Sequence, residues 1–329
     1  MNKRLLIRIL SCGVLIVFMF LLPFVFRGPY AIHILILVAI NIILASSLRL
    51  INLTGQMSLA HGGMMTIGAY TSTLLVMKLG LSSWVALLLA GFLASVIACL
   101  VGFPFVRVKG MYFAMVTIFL AQMMTLTVQQ WRSLTGGSSG IYNIPRPDPI
   151  VIPGVLNITF TSRVDFYYLV LVIMLVSLII LYAIEHSRIG LTFRGIQQSD
   201  SLAESVGINT AGLKVLAFSI GCFFPGFIGG FYSQYIQSLS PDAFGFLFAI
   251  YILIYMVVGG SGRFAGPILG ALILTLLPEV MRPLKELQPF FFAGVLMLVI
   301  FLMPEGIVGL PARLKVLNSR LFKKRYKHA

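Results

Sequence analysis

Long apolar runs recur along the chain, and they constrain its fold more than any other feature of the sequence. Most of the ten runs are long enough to cross hydrocarbon about 30 Å thick as a helix. Lipid offers no partners to backbone amides, so only helices or closed β-barrels span a bilayer. Because the runs lack the alternation of barrel strands, they predict an all-α polytopic integral membrane protein with about ten transmembrane helices. The predicted spans are 5–26, 30–50, 57–77, 82–103, 111–130, 166–184, 212–235, 244–258, 264–281 and 289–303.

The composition supports a membrane protein. Hydrophobic residues make up 59% of the 329 residues and charged residues only 10%, whereas a soluble domain is about one quarter charged. We therefore expect residues 1–329 to form a single transmembrane domain. The net charge of +15 is explained by basic residues that orient the helices and meet anionic membrane lipid. No nucleic-acid partner is expected.

The distribution of Lys and Arg predicts the orientation. With ten spans and a cytoplasmic N-terminus, 17 of the 24 basic residues fall on the cytoplasmic side, as the positive-inside rule requires. Both termini are then cytoplasmic, and 304–329 forms a basic cytoplasmic tail. The loop 131–165 is extracytoplasmic, and the loop 185–214 is cytoplasmic.

The polar segment, residues 185–214, separates two strongly apolar runs and is the longest cytoplasmic loop predicted. Ser201 and Glu204 have the spacing of a capping box, which begins a helix. Gly207 is suited to the left-handed conformation that ends one. The segment therefore predicts a short helical rod from Ser201 to Val206.

The rod carries an apolar stripe, because Leu202 and Val206 are four residues apart and lie on one helix face. Two interpretations follow from these residues alone. The rod lies in the headgroup region of its own membrane, or it inserts into a groove on a soluble cytoplasmic partner.

The loop 131–165 has its glycines first and its spaced prolines after them, a pattern of a turn followed by rigid, extended backbone. It is too short to be a binding domain of its own. The loop is either a structured surface loop or a docking surface for a soluble partner outside.

The segment 52–70 is rich in glycine and places polar residues at the entrance of a span. Gln56 and His61 need partners or water at that depth. Either they are satisfied by hydrogen bonds inside the helix bundle, or they line a water-filled path.

Small residues in later spans have the GxxxG spacing that lets membrane helices approach closely. Gly226 and Gly230 form one such pair, and Gly262, Gly266 and Gly270 form two that overlap. This pattern predicts tight helix packing and says nothing about what the protein carries.

Several kinds of chemistry have no motif in the chain. It contains no GxxxxGK[ST] phosphate-binding loop, no HExxH and no paired-cysteine motif, so we expect no enzyme activity, no bound metal and no ATP hydrolysis by this chain. None of the nine acidic residues lies clearly in the middle of an apolar run. Their position argues against a proton- or sodium-driven carrier, which normally needs carboxylates inside the membrane.

Three blocks of sequence resemble the branched-chain amino acid ABC importer permeases of the LivM type. They are GQMSLAHGGMMTIGAYTSTLL, SRIGLTFRGIQQSDSLAESVGINTAGLKVLAFSIGCFFPGFIGGFY and GGSGRFAGPILGALILTLLPE. The likeness extends over about 45–309.

The resemblance implies a multi-pass permease subunit of the bacterial inner membrane, with the polar segment as its cytoplasmic coupling loop. Its partners would be a second, LivH-like permease, two cytoplasmic ATP-binding subunits and an extracytoplasmic substrate-binding protein. ATP and Mg would be bound by the partner subunits, with no cofactor on this chain.

The resemblance also assigns residues. Those that would couple the chain to an ATPase are Ser187, Arg188, Gly190, Arg194, Ser201, Ala203, Glu204, Gly207 and Ile208. Those near the translocation path would be Gln56, Ser58, His61 and Gly62. The sequence departs from the family at 197–199, where Gln-Gln-Ser replaces a more charged run, and this departure puts an ion pair between that run and an ATPase in doubt.

Leucine, isoleucine and valine are the expected cargo, and ATP hydrolysis in the partners would drive alternating access. Another small amino acid, urea or an amide stays open, because related permeases serve such solutes. The alternative class is a secondary carrier or channel that works alone, which would have no need of a docking rod.

Overall fold

The computed structural model describes residues 17, 19–24, 28–106, 108, 110–152, 156–281, 290, 293–294, 297 and 306–309. Most of the predicted span 5–26, most of the span 289–303 and most of the tail 304–329 lie outside the described residues. Arg107 and Lys109, both counted in the charge distribution, also lie outside them. The predictions for these parts of the chain stay predictions.

Eleven α-helices have both ends within the described residues, and we number these in chain order. They are α1 (Pro29–Asn52), α2 (His61–Leu79), α3 (Ser83–Phe105), α4 (Met111–Gln130), α5 (Arg132–Thr135), α6 (Arg163–His186), α7 (Arg188–Gln198), α8 (Asp200–Ser205), α9 (Thr210–Ile236), α10 (Phe246–Gly259) and α11 (Ala265–Val280). Short 3₁₀ turns lie at Gly137–Ser139, Pro241–Phe244 and Ile307–Gly309. The strands are β1 (Ile141–Tyr142), β2 (Ile150–Ile152), β3 (Leu156–Ile158) and β4 (Ser238–Leu239).

Six described helical stretches are long and apolar enough to cross a membrane, so the chain is a multi-pass membrane protein. They are Pro29–Asn52, Ser83–Phe105, Met111–Gln130, Arg163–His186, Thr210–Ile236 and Pro241–Gly259. The prediction of about ten spans is not confirmed. The predicted run 57–77 begins as a helix only at His61 and is less apolar, and α11 has only 16 residues.

Helix α9 packs against both α2 and α3 at the centre of the bundle. A Cβ on Gly68 would overlap the carbonyl of Gly226, and a Cβ on Gly226 would overlap the side chain of Ala94. A Cβ on Gly230 would lie 2.8 Å from that of Ser72. Larger residues here would push the helices apart, so these contacts require the small residues that the GxxxG spacing indicated.

Helices α10 and α11 pack against each other in the same way. A Cβ on Gly266 would overlap the carbonyl of Gly260, and one on Gly270 would overlap that of Tyr255. Gly262 differs, because it lies in the exposed turn between the helices and a Cβ there would meet no atom within 4 Å. The packing prediction is wrong for Gly262, since the chain leaves the helix before this position.

The predicted outer loop, 131–165, is held to the helix bundle. Strand β1 pairs with β4, which follows α9, and β2 pairs with β3 within the loop. The Ser83 amide at the start of α3 donates to the Asp148 carboxylate at 2.7 Å. A capping box of Ser162 and Asp165 begins α6. The arrangement fits a structured surface loop, and docking of an outside partner stays a prediction.

Candidate functional site

The short rod in the polar segment forms, but it begins earlier than predicted. Helix α8 starts at Asp200, because the extended residue Ser199 is its N-cap and accepts a hydrogen bond from the Leu202 amide at 3.3 Å. Ser201 lies within the first turn, where its hydroxyl is 3.2 Å from that of Ser199. The predicted capping box of Ser201 and Glu204 is therefore wrong: the N-cap lies two residues earlier, and Glu204 bonds Thr210 instead.

The predicted end of the rod is confirmed. Gly207 has a φ of +82°, and its amide donates to the Glu204 carbonyl at 2.9 Å. The Ile208 amide donates to the Ala203 carbonyl at 3.1 Å, which satisfies another carbonyl at the end of the helix. The Glu204 carboxylate accepts from the Thr210 hydroxyl at 2.7 Å, so it fixes the turn into α9.

The rod presents its apolar stripe to the surroundings. Leu202 is 69% exposed and Val206 is 72% exposed, whereas Ala203 on the opposite face is buried. This face can enter a headgroup layer or a protein groove, and the geometry suits both interpretations of the sequence.

A longer helix, α7, precedes the rod, and the sequence interpretation did not identify it. Ser187 is its N-cap and accepts from the Gly190 amide at 3.3 Å. Gly190 packs so closely that a Cβ would overlap the Glu185 carbonyl. Phe193 is fully buried and Arg188 is exposed. The signal was available, because a serine N-cap precedes buried residues at helical spacing.

A buried ion cluster lies where α1, α6 and α7 meet, and we define it as Arg49, Glu185 and Arg194. Arg49 Nη2 donates to Glu185 Oε1 at 2.9 Å, while Nη1 bonds the second carboxylate oxygen. Arg194 Nη2 donates to Oε1 at 2.5 Å. The Arg49 and Glu185 side chains are each only 3% exposed, and that of Arg194 is 42% exposed. The cluster joins the polar segment to the membrane helices through charge-assisted hydrogen bonds.

Arg49 also reaches the turn between α10 and α11. Its Nε donates to the Ser261 carbonyl at 2.9 Å, and its guanidinium carbon lies 5.9 Å from the centre of the Phe264 ring. One side chain of α1 therefore contacts both the end of α6 and the turn between α10 and α11.

Two further bonds connect the polar segment to the bundle. Gln197 Nε2, near the end of α7, donates to the Asn52 carbonyl at 3.0 Å. Lys214 Nζ lies 2.7 Å from Asp200 Oδ2 and joins α9 to the rod. The bond from Gln197 reaches Asn52, the last residue of α1. Helix α7 therefore contacts the end of α1, next to the segment that follows it.

The segment that follows α1 is the connecting segment, residues 53–60, which is not helical. Most of it is buried, although Gly55 and Met57 are exposed, and the Leu59 amide donates to the Thr117 hydroxyl of α4 at 3.0 Å. A Cβ on Gly63 would lie 2.5 Å from Ala121 Cα, about 15 Å along α4 from its start. Irregular backbone at membrane depth is tolerated only where protein or a water-filled cavity surrounds it.

The polar residues predicted near the translocation path lie in and beside this segment. His61 is buried, and its Nε2 lies 3.1 Å from the Ser47 hydroxyl. Ser58 is buried and accepts from the Ala60 amide at 3.1 Å. The structure brings these residues together inside the bundle.

Gln56 and Gly62 complete that predicted set. Gln56 is 2% exposed, yet neither polar atom of its amide has a hydrogen-bond partner among the described residues. Gly62 packs against the chain before α10, where a Cβ would overlap the Phe244 carbonyl. Hydrogen bonds inside the bundle therefore satisfy Ser58 and one nitrogen of His61, but they do not satisfy Gln56.

The described residues contain no group of three or more His, Cys, Asp or Glu residues that could hold a metal ion. The polar groups of the site are a buried ion cluster and neutral hydrogen-bonding groups. They are suited to transmitting movement and to binding a small solute.

Comparison with known proteins identifies the type of chain. Residues 30–303 match the family described as the branched-chain amino acid transport system permease component. The chain is 30% identical to the high-affinity branched-chain amino acid transport system permease protein LivM of Escherichia coli K12 over 317 residues, which is 90% of this chain and 74% of that protein.

Other relatives are also permease proteins. The chain is 27% identical to LivH of the same organism, over 80% of this chain and 88% of that protein. It is 27% identical to BraD of Pseudomonas aeruginosa, over 80% of this chain and 89% of that protein. No solved structure matches the chain.

Proposed function

The chain belongs to the family of branched-chain amino acid transport permeases, and from this premise we propose that it imports leucine, isoleucine and valine with energy from ATP hydrolysed by partner subunits. It is a transport component and not an enzyme. ATP and Mg are bound by two cytoplasmic ATP-binding subunits.

The observation that carries the proposal is that the polar segment exposes an apolar stripe at α8 and is hydrogen-bonded to the membrane helices through α7. On one side the polar segment offers an exposed apolar stripe, Leu202 and Val206, for an ATPase groove. On the other side Arg194 bonds Glu185, and Gln197 bonds the end of α1. Movement of a docked ATPase would therefore displace α7 and, with it, the connecting segment that holds Gln56 and His61.

The remaining partners follow from the family. A second, LivH-like permease completes the membrane part, and an extracytoplasmic binding protein delivers the solute. The chain lies in the bacterial inner membrane with both termini and the polar segment in the cytoplasm. In this orientation the apolar stripe faces the side on which ATP is available.

Reconstitution of the complex in liposomes tests the proposal. We expect leucine uptake only with both permeases, both ATP-binding subunits, the binding protein and ATP present. Uptake of leucine by this chain alone would contradict it and support an autonomous carrier. Uptake of urea, an amide or another amino acid in preference to leucine would keep the mechanism and change the cargo.

A substitution in the stripe separates docking from folding. Leu202→Glu places a charge on the apolar surface that the ATPase would cover, so we expect uptake to fall at least tenfold while membrane insertion is unchanged. Gln198→Glu, at an exposed polar position of the same segment, is the matched control with uptake near the wild-type level. Full uptake by the Leu202 variant would contradict docking at this stripe.

A further inference from the structure

The outward face of α4 carries a polar side chain at membrane depth. Gln122 is exposed and lies about 16 Å along the helix from Met111, which is near the middle of the span. Among the described residues, none forms a hydrogen bond with its side-chain amide. Thr127 and Gln130 are exposed on the same face nearer the helix end.

The other helices with a large outward face differ. On α3 the exposed side chains from Val85 to Phe103 are all apolar apart from the Cys99 thiol. On α6 the exposed side chains from Val172 to Ile180 are all apolar. These faces suit lipid. An amide without a partner in hydrocarbon costs several kcal/mol, and polar residues in spans almost always face protein or a water-filled cavity.

The face around Gln122 is a shallow, open surface of one helix, and it has no second wall among the described residues. It lines a groove of about 700 Å³ together with Phe119, Met123 and Leu126. Next to this groove, Gln122 also borders the Gly245–Phe246 backbone at the start of α10. Methionine side chains adapt to apolar groups of different shape, so the groove combines an apolar wall with the hydrogen-bonding side chains of Gln122, Thr127 and Gln130.

The groove lies directly behind the connecting segment. Ala121, the neighbour of Gln122, is in contact with Gly63 at the start of α2. Thr117, one turn earlier in α4, accepts the hydrogen bond from Leu59. A displacement of the connecting segment would therefore act on α4 at the level of Gln122.

We infer that the face of α4 from Met115 to Thr127 is this chain's wall of the solute path, closed on the far side by a second permease subunit. The inference rests on the proposed function and adds the position and chemistry of the site. LivM and LivH of one organism are both permease proteins similar to this chain, which makes a related subunit the fitting occupant. Gln122 binds the charged backbone end of an amino acid, and Phe119 and Met123 contact its branched apolar side chain.

Accessibility to a charged thiol reagent tests the inference. In a parent complex with Cys12, Cys99 and Cys222 replaced by serine or alanine, Gln122→Cys is compared with Phe92→Cys on the outward face of α3. We expect the charged reagent to modify position 122 and to reduce leucine uptake at least tenfold, with saturating leucine slowing the modification. Position 92 should stay unmodified, with uptake unchanged.

Each outcome is decisive. Equal reactivity at the two positions, or none at 122, overturns the inference, because the face would then be covered by lipid or by a dry protein contact. The parent complex is the check on the proposed function. If it takes up leucine and the charged reagent does not modify Gln122→Cys, only the assignment of this face to the solute path is wrong. A wild-type complex that never takes up leucine contradicts the proposed leucine transport instead.

A second variant tests the role of the amide. Gln122→Leu should raise the KM for leucine uptake about tenfold, the loss of one hydrogen bond to a charged group. Gln122→Asn, which keeps an amide, should recover part of the affinity. An unchanged KM for Gln122→Leu would show that the amide does not contact the solute.

Discussion

The buried ion cluster and the connecting segment are neighbours in the fold, yet they differ in how their buried polar groups are satisfied. Glu185 accepts hydrogen bonds from Arg49 and Arg194 with both carboxylate oxygens. The Gln56 amide, equally buried, has no partner among the described residues. The Gln197–Asn52 bond joins the two regions.

The difference separates a rigid part from a part that can change. A buried charge is kept only where it is paired, and removing one partner is costly. An unsatisfied buried amide loses nothing when its surroundings move, and it gains a hydrogen bond if a solute or a rearranged helix supplies one. The cluster is thus suited to transmitting force and the segment to responding to it. Four substitutions test this contrast, from the largest expected effect to the smallest.

Glu185→Gln should destabilise the protein by about 3–5 kcal/mol, because it leaves the Arg49 charge buried without a counter-ion. Thermal unfolding of the purified protein in detergent measures the effect. Adding Arg49→Met should restore much of the stability, since no unpaired charge then remains in the interior. If Glu185→Gln alone unfolds like the wild type, the buried Arg49 charge does not need Glu185 as its counter-ion.

Gln56→Leu should have the opposite sign and stabilise the fold by about 1 kcal/mol, because an apolar side chain replaces an amide without partners. The same unfolding assay applies. His61→Leu is the matched control: it removes the contact with Ser47 and should destabilise. A loss of stability for Gln56→Leu would mean that the amide already has a partner, and the contrast between the two regions would fail.

Gln197→Ala removes the hydrogen bond that joins α7 to the end of α1, and we expect a loss of about 1 kcal/mol. Leucine taken up per ATP hydrolysed should fall as well, because α7 then moves with less effect on the connecting segment. Its exposed neighbour is the control, and Gln198→Ala should change neither quantity. Unaltered uptake per ATP in the Gln197 variant would assign the transmission to the ion cluster alone.

Arg194→Gln should have the smallest effect, about 0.5 kcal/mol, because the side chain is partly exposed and such ion pairs contribute little. Glu185 keeps its pair with Arg49. Salt should reduce the difference from the wild type further. Arg188→Gln, at an exposed arginine of the same helix, should be neutral. A loss as large as that of Glu185→Gln would mean that Arg194 carries the cluster.

Elements and their ends were predictable where local chemistry decides them. Gly207 ends the rod because a left-handed residue is needed there, and glycine supplies it. The start was misplaced because Ser199 and Ser201 are both good N-caps, and only the extended backbone at Ser199 selects between them. Helix α7 was missed although its local signal, the N-cap Ser187, is present in the sequence.

The contacts of the site could not be read from the chain. Arg49 and Glu185 are 136 residues apart, and each was identified only as a charge at the end of an apolar run. The four residues predicted near the path do lie together inside the bundle. Their burial, and the absence of a hydrogen-bond partner for Gln56 among the described residues, depend on how helices far apart in the sequence pack around them. Gln122 gave no signal, because its outward position follows from which face of α4 packs against α2.

The sequence by itself determined that this is a helical membrane protein with one long polar segment, because the demands of lipid on length, hydropathy and backbone hydrogen bonding act on each run separately. Tertiary structure alone decided which charges pair, which buried amide is left without a partner and which helix places a polar side chain on the outer surface of the bundle. Those features depend on distances between elements far apart in the chain, and packing fixes such distances.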